Sequence, residues 1–254
     1  NKFISYGNAM STDEADLLEY LAEDRDTKVI CVYLEGVRNG QKFFKVAKKV
    51  SEKKPVIIIK GGMSEAGGKA TASHTGSLAG NAKVFDAVVK QTGLIRAYSM
   101  RQVFDYARVL ASEPRPKVNR AQIITNGGGY GVLTADALSD SCLNLAEMSA
   151  ESRKPIIAAS PSYAVIKNPM DLTGDADNNR FMVAMDNALK DGNVDSIILI
   201  LLFQVTTLDS DIIEGISGLH MKLLEKEGIQ TFEEPIDAAN ALHALTYYHH
   251  GSKN

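Results

Sequence analysis

The sequence predicts an α/β protein built of two doubly wound parallel-sheet domains. Three observations carry this expectation. Short β-branched runs alternate with amphipathic segments along the whole chain, several of those runs are near-continuously apolar, and a proline-bearing break falls near the middle of the 254 residues. Strands buried on both faces of a parallel sheet leave that apolar signature, whereas a sheet wetted on one face would alternate.

Taken in order, Ser11-Thr12-Asp13-Glu14 has capping-box spacing ahead of Leu17, Leu18 and Leu21 and predicts a helix start. Strands are expected at Val29–Leu34, Val56–Lys60, Leu94–Ala97, Ala121–Thr125, Leu143–Ala146, Ile197–Phe203 and Ile229–Phe232. Between them, Phe43, Val46, Ala47 and Val50 share one helical face, as do Val84, Phe85, Val88 and Val89, and both stripes read as core. Pro114 and Pro116 block continuation of a helix ending near Ala111, so the domains are expected at 1–112 and 117–250. Two irregularities stand out. The chain opens on Phe3-Ile4-Ser5-Tyr6 with no strand and helix before it, and a helix from Asp209 to about Ser217 is followed by another from Leu219 with no strand between. Both suggest a fragment or missing segments.

Composition excludes several classes. With 44% hydrophobic and 23% charged residues the chain is neither disordered, collagenous nor a coiled coil. Its net charge of −3, without a basic stripe, argues against nucleic acid. The longest apolar run, Ile197 to Phe203, is too short for a bilayer, and the N-terminus has no signal-peptide pattern, so a cytoplasmic protein without a membrane partner is expected. Cys31 and Cys142 lack metal-ligand spacing and read as buried thiols in a reducing compartment; no metal site is expected.

Three loops carry possible chemistry. The first runs from Lys60 to Gly80 and contains Ser73-His74-Thr75-Gly76-Ser77. It follows a buried strand and therefore emerges at the carboxyl edge of a sheet, where open α/β sheets put ligands; its glycines allow close backbone approach and its hydroxyls can donate to phosphate oxygens. The second, Thr125-Asn126-Gly127-Gly128-Gly129-Tyr130-Gly131, passes from strand to helix and forms an anion-binding helix start, although it fits neither the P-loop nor the Rossmann fingerprint. The third, Lys167 to Asp175, holds Asn168-Pro169, Asp171 and Thr173-Gly174, and reads first as an Asx-type turn. His220, His243, His249 and His250 sit in helical segments with no partners evident in sequence, which leaves His74 as the candidate for chemistry.

In their order and wording these stretches resemble the acyl-CoA synthetases that form ADP or another NDP, relatives of succinyl-CoA synthetase. The likeness extends over nearly the whole chain, through Tyr6-Gly7-Asn8, Asp13 to Leu21, Tyr33-Leu34-Glu35-Gly36-Val37, Ser73 to Gly80, Thr125 to Val132 and Lys167 to Asp175. It implies two flavodoxin-like, succinyl-CoA synthetase-like domains of the acetate–CoA ligase alpha-subunit type, and an acid–thiol ligase. In such enzymes acyl-CoA, ADP and phosphate interconvert with carboxylic acid, CoA and ATP through an acyl phosphate and a phosphohistidine. The resemblance places that phosphoryl group on His74 and gives Glu35 the task of steadying the imidazole. Ser73, Thr75, Gly76 and Ser77 with Asn126, Gly127, Gly128 and Gly129 would bind phosphate, and Asn168, Asp171 and Gly174 would support the site. It further implies Mg2+ with ADP or ATP, and CoA, as substrates of a whole oligomeric enzyme whose CoA-binding domain and ATP-grasp subunit or domain lie outside this sequence. The alternative is a catalytically silent α/β scaffold or phosphate-sensing subunit.

Overall fold

In the computed structural model the described residues are 2–7, 11–64, 81–114, 116–203, 208 and 229–251. The chain divides into two compact units, Asn1–Ala111 together with Tyr247–Asn254, and Ser112–Thr246.

The first unit opens with helix α1 (Glu14–Glu23). Its cap is Asp13, two residues later than the Ser11 spacing predicts. The Asp16 N–H donates to Asp13 Oδ1 (2.9 Å) and the Asp13 N–H donates back to Asp16 Oδ2 (3.1 Å), a reciprocal box made by two carboxylates. The shift has a charge partner. Lys42 Nζ donates to Asp13 and Asp16 at 2.9 and 2.5 Å, which pushes the Lys42 pKa up to about 12, Asp16 contributing most. Strands β1 (Ile30–Leu34), β2 (Val56–Lys60) and β3 (Ile95–Arg96) pair in parallel in that order, with Ile30 opposite Val56 and Ile57 opposite Ile95. Helices α2 (Gly40–Ser51) and α3 (Ala82–Thr92) are capped by the Asn39 and Asn81 side chains, and α3 ends on Gly93 in the left-handed region that glycine adopts without strain. Leu18, Phe43, Val50, Phe85 and Val89 from these helices close over Ile30, Leu34, Val56 and Ile58. Ile57, on the opposite side of β2, is also buried, as the continuous apolar run predicts. Helix α4 (Met100–Ser112) completes the unit. Cys31 is exposed, contrary to the expectation of a buried thiol, because its side chain alternates to the face of β1 opposite Ile30 and Leu34.

In the second unit β4 (Arg120–Thr125) is central. It pairs in parallel with β5 (Asn144–Leu145) and then β6 (Met170–Asp171) along one side, and with β7 (Ser196–Ile200) along the other. Helices α5 (Gly128–Ser139) and α8 (Pro235–Thr246) contribute Leu138 and Ala239 to a core against Ala121, Ile123, Ile198 and Ile200. On the other face α6 (Ala150–Ala158) and α7 (Asn178–Lys190) bring Ile156, Phe181, Ala184 and Ala188 against Ile124 and Met170. The sheet is therefore wound on both faces. Two expectations about its strands change. Ile229–Phe232 forms no strand among the described residues, and β6 was not legible as one. The helices expected from Asp209 and Leu219, with His220, lie outside the described residues. No helix among the described residues is long and apolar enough to cross a membrane.

Two titratable pairs pin this unit. Arg120 meets Asp195 through two guanidinium bonds, Nε at 2.8 Å and Nη2 at 3.1 Å, while the Arg120 N–H donates to the same carboxylate. The Asp195 side chain is 2% exposed, and the Arg120 hydrogen bond holds its pKa below the usual carboxylate range. His243 also has a partner that sequence reading missed. Its Nδ1 accepts the Cys142 N–H (3.2 Å) and lies 3.4 Å from Cys142 Sγ, and burial pushes its pKa down.

These pairs predict two separate pH windows. His243 folds neutral, so its contribution is full above the unfolded value of about 6.5 and is lost as pH falls through its lower folded value; Asp195 contributes above about 3.9 and is lost only below that. Thermal melting from pH 7 to 3 should show both steps, and His243→Gln should remove the first while leaving the second. Asp195→Asn should cost about 1–3 kcal/mol at neutral pH in denaturant titration, since it strips the charge from a buried hydrogen-bonded pair.

Candidate functional site

All strands of a parallel sheet finish on one edge, and that polarity assembles the candidate residues of each unit. In the first unit β1 ends at Leu34 and leads into Glu35, while β2 ends at Lys60 and leads into Gly61. The Gly61 N–H donates to Leu34 O (2.8 Å), continuing the ladder one step past the strands. A Cβ on Gly61 would lie 2.9 Å from the Tyr33 hydroxyl and 3.7 Å from Glu35 Cγ, so glycine is what lets the departing backbone pass this pair. Gly62 follows at φ +70°, which glycine takes without cost.

Glu35 is half-buried and held at two points. Its Oε1 accepts from the Tyr33 hydroxyl (3.2 Å), and its backbone carbonyl accepts from Lys60 Nζ (3.2 Å), which also donates to Gly61 O (3.1 Å). Its Oε2 is buried and has no hydrogen-bond partner among the described residues. A carboxylate oxygen withdrawn from water with nothing to accept forgoes solvation, and a donor arriving at this edge would restore it. Ser73, His74, Thr75, Gly76 and Ser77 lie outside the described residues; the chain leaves for them through Gly61 and Gly62 and returns at Asn81, the α3 cap.

In the second unit Thr125, Asn126, Gly127, Gly128 and Gly129 come together with Asp171, Thr173 and Gly174 at the carboxyl edge of β4 and β6. Several polar groups there are already engaged. Asn126 is buried and clasps Leu202 from both sides, its Nδ2 donating to Leu202 O (3.0 Å) and its Oδ1 accepting the Leu202 N–H (2.9 Å). The Gly127 N–H donates to Thr125 Oγ1 (2.9 Å). A Cβ on Gly128 would collide with Asp171 Oδ2, so this carboxylate abuts the first residue of α5, where the helix carries its positive end. Asp171 Oδ1 accepts the Thr173 N–H (2.9 Å), closing an Asx turn that holds Thr173 at φ +74°, a left-handed value unusual for a branched residue. Arg180, which the sequence did not single out, braces the turn by donating to Leu172 O (2.9 Å), Thr173 Oγ1 (3.1 Å) and Asp175 Oδ1 (3.1 Å).

Asn168 works one step back from the edge. Its Oδ1 accepts the Ile123 N–H (3.1 Å) and its Nδ2 donates to Ala121 O (2.8 Å) and Ala146 O (3.0 Å), so it fills the gap between β5 and β6 along β4. The Asn168–Pro169 peptide is cis. No group of three or more His, Cys, Asp or Glu among the described residues could hold a metal ion.

Comparison with known proteins gives the matches of the two units. Residues 1–110 match the succinyl-CoA ligase like flavodoxin domain and residues 121–243 match the Ligase-CoA domain. The acetate–CoA ligase (ADP-forming) I subunit alpha of Pyrococcus furiosus is 40% identical over 95% of this chain and 57% of its own length. The 4-hydroxybutyrate–CoA ligase (ADP-forming) of Nitrosopumilus maritimus is 40% identical over 77% of this chain and 28% of its own. Among solved structures, the dinucleotide forming acetyl-coenzyme A synthetase 1 of Ca. Korarchaeum cryptofilum, in complex with phosphate and ADP, superposes with a TM-score of 0.86 at 31% identity, covering 98% of this chain and 59% of that one. The chain thus spans little more than half the length of the alpha subunit it matches.

The contact at the head of α5 gives a direct check. Gly128→Ala should destabilise the second unit by about 1–3 kcal/mol, as an added methyl does in a filled site. The same substitution should cost less in an Asp171→Ala background; equal costs in both, measured by denaturant unfolding, would show that the carboxylate does not set this approach.

Proposed function

The chain belongs to the succinyl-CoA ligase-like family of ADP-forming acyl-CoA synthetases, and from that premise we propose that it is the phosphohistidine-bearing part of such an enzyme, with His74 as nucleophile and Glu35 as its orienting carboxylate. The observation that carries this reading is the buried, unpartnered Oε2 of Glu35 at the edge from which the His74 segment departs. An imidazole N–H is the donor that oxygen lacks. A carboxylate on one ring nitrogen fixes the tautomer, leaves the other nitrogen as nucleophile and offsets the positive charge that develops on phosphorylation.

The whole enzyme would then run three reversible steps. Phosphate oxygen attacks the thioester carbon of acyl-CoA and the C–S bond breaks, giving acyl phosphate and CoA. The free nitrogen of His74 attacks the phosphorus of acyl phosphate and the P–O bond to the acyl group breaks, releasing carboxylate. A β-phosphate oxygen of ADP then takes the phosphoryl group, the P–N bond breaks and neutral imidazole returns. This chain's residues contribute positioning and charge, which are the main requirements of phosphoryl transfer. Ser73, Thr75, Gly76 and Ser77 supply hydroxyl and backbone donors from the His74 segment. Gly128 and Gly129 head α5 and are the second unit's donors, with Asn126, Gly127, Asn168, Asp171 and Gly174 holding their turn. The described residues do not fit a Mg2+ site, so the ion is assigned to the nucleotide and its partner domain, and no residue here is given to it. CoA-binding and ATP-grasp regions, supplied by the rest of an oligomeric assembly in the cytoplasm, complete the reaction; the two free thiols fit that reducing compartment.

Incubating the complete enzyme with labelled ATP, or with labelled phosphate and acyl-CoA, should produce an acid-labile, alkali-stable label that His74→Ala abolishes. A label of undiminished strength in His74→Ala overturns the assignment, and binding of partner regions without any label in the wild type points to a scaffold. Glu35→Gln should slow labelling by about 10–100-fold, the loss of one charge-assisted hydrogen bond of about 1.5–3 kcal/mol.

A further inference from the structure

At the carboxyl edge of the first sheet, on its α3 face, two cations end adjacent strands. Lys60 closes β2 and Arg96 closes β3; Arg96 pairs with Ile58, so both side chains project to the same face. Lys60 is 8% exposed as a residue and the Arg96 side chain 13%. Phe85 of α3 packs between them, its ring centroid 5.9 Å from Lys60 Nζ and 4.6 Å from Arg96 Cζ, and the Tyr98 ring lies 5.3 Å from the same guanidinium carbon.

Their donors are not used up. Lys60 gives two N–H bonds to backbone carbonyls. Among the described residues Arg96 Nε and Nη1 are buried without a hydrogen-bond partner, and the carboxylate paired with the guanidinium there, Asp86, stands 3.6 Å from Nη1 and is 57% exposed. Two of the other buried unpartnered atoms differ in kind. Asp105 and Arg180 also have an unsatisfied atom, yet each makes short charged bonds through its remaining atoms, to Arg108 at 2.9 Å and to Asp175 at 3.1 Å. Burial together with the Arg96 charge pushes the Lys60 pKa down, as expected of two like charges brought close together. Buried charges are ordinarily paired, and a guanidinium stacked on aromatic rings with Nε and Nη1 unpartnered keeps a free donor on each of its two forked edges, Nε–Nη2 and Nη1–Nη2, the geometry that matches phosphate oxygens.

We propose that Lys60 and Arg96 form a subsite for a tetrahedral phosphate dianion at the carboxyl edge of the first sheet, Arg96 supplying the fork and Lys60 the point charge. The proposal deepens the phosphoryl-transfer reading and rests on it for the ligand's role. The chemistry is shared by free phosphate, the substrate, and by the phosphoryl group once it is covalently held, and the two sources can be separated.

The experiment uses the complete enzyme in two arms. In the first, inorganic phosphate is titrated calorimetrically into His74→Ala, which cannot hold a covalent phosphoryl group, with and without Arg96→Gln, Arg96→Lys or Lys60→Met. Free phosphate as ligand predicts a Kd raised at least tenfold by Arg96→Gln and by Lys60→Met, and raised less by Arg96→Lys, which keeps charge but loses the fork. In the second arm the histidine label is formed from ATP and its decay followed; a covalent phosphoryl group as ligand predicts faster loss in Arg96→Gln even where the first arm shows no change. Melting without phosphate checks folding, and where Lys60→Met or Arg96→Gln melts early, the milder Arg96→Lys decides. If the wild type labels normally while phosphate affinity and label lifetime both stay within twofold in every folded variant, the subsite is wrong and the His74 assignment survives. If no label forms in the wild type but the Arg96 and Lys60 variants lose phosphate binding, the subsite stands and the His74 assignment falls.

Discussion

A parallel sheet sends every strand toward the same edge, and the rest of this structure follows from that polarity. Because β1, β2 and β3 run together, Glu35, Lys60 and Arg96 arrive at one edge although they are far apart in sequence. Because β4 runs with β6 and β7, Thr125, Asp171 and the Leu202 backbone meet in the same way. No local motif could bring such groups together; the ladder does it by register. The cost is that backbone groups at the strand ends face a crowded edge and must find partners outside the ladder.

Polar side chains meet much of that need. Asn168 satisfies three backbone groups along β4 and β5, Asn126 satisfies two at the end of β7, and Lys60 holds the carbonyls of Glu35 and Gly61. Each such bond contributes modestly when made, about 0.5–1.5 kcal/mol, and leaves a larger penalty when broken. These residues therefore give the two edges their rigidity. Among the described residues, Glu35 Oε2 and the Nε and Nη1 of Arg96 are exceptions at the first edge, buried and without partners.

Legibility in the sequence follows the same division. Strands β1, β2, β4 and β7 could be read directly, since burial on both faces writes continuous apolar runs, and helix faces could be read from their period. The ends of elements could not. Asp13 displaced Ser11 as the α1 cap because Lys42, 29 residues on, stabilises its carboxylate, and nothing near Ser11 signals that. Strand β6 is two residues paired through the brace that Asn168 provides, so turn chemistry was all its sequence displayed. Cys142 and His243 are 101 residues apart, beyond any spacing rule. At the candidate site Glu35 stood out through family likeness alone, whereas Lys60 and Arg96 read as strand ends until register set them together.

The two edges also differ in what they favour. At the second, the head of α5 would attract an anion by about 0.3–1 kcal/mol through its dipole. Asp171 sits against that same helix start, and like unit charges about 4 Å apart repel by about 4 kcal/mol at the effective dielectric near a protein surface. A doubly charged phosphate is opposed there unless a proton or a cation accompanies it. At the first edge, where Glu35 also lies, the two confined cations Lys60 and Arg96 stand close together, and a dianion would relieve their mutual repulsion. Of the two, the first edge is the place where a phosphoryl group can rest with its full charge, and the second is suited to a phosphate that arrives already neutralised, as a nucleotide phosphate does when it travels with its metal ion.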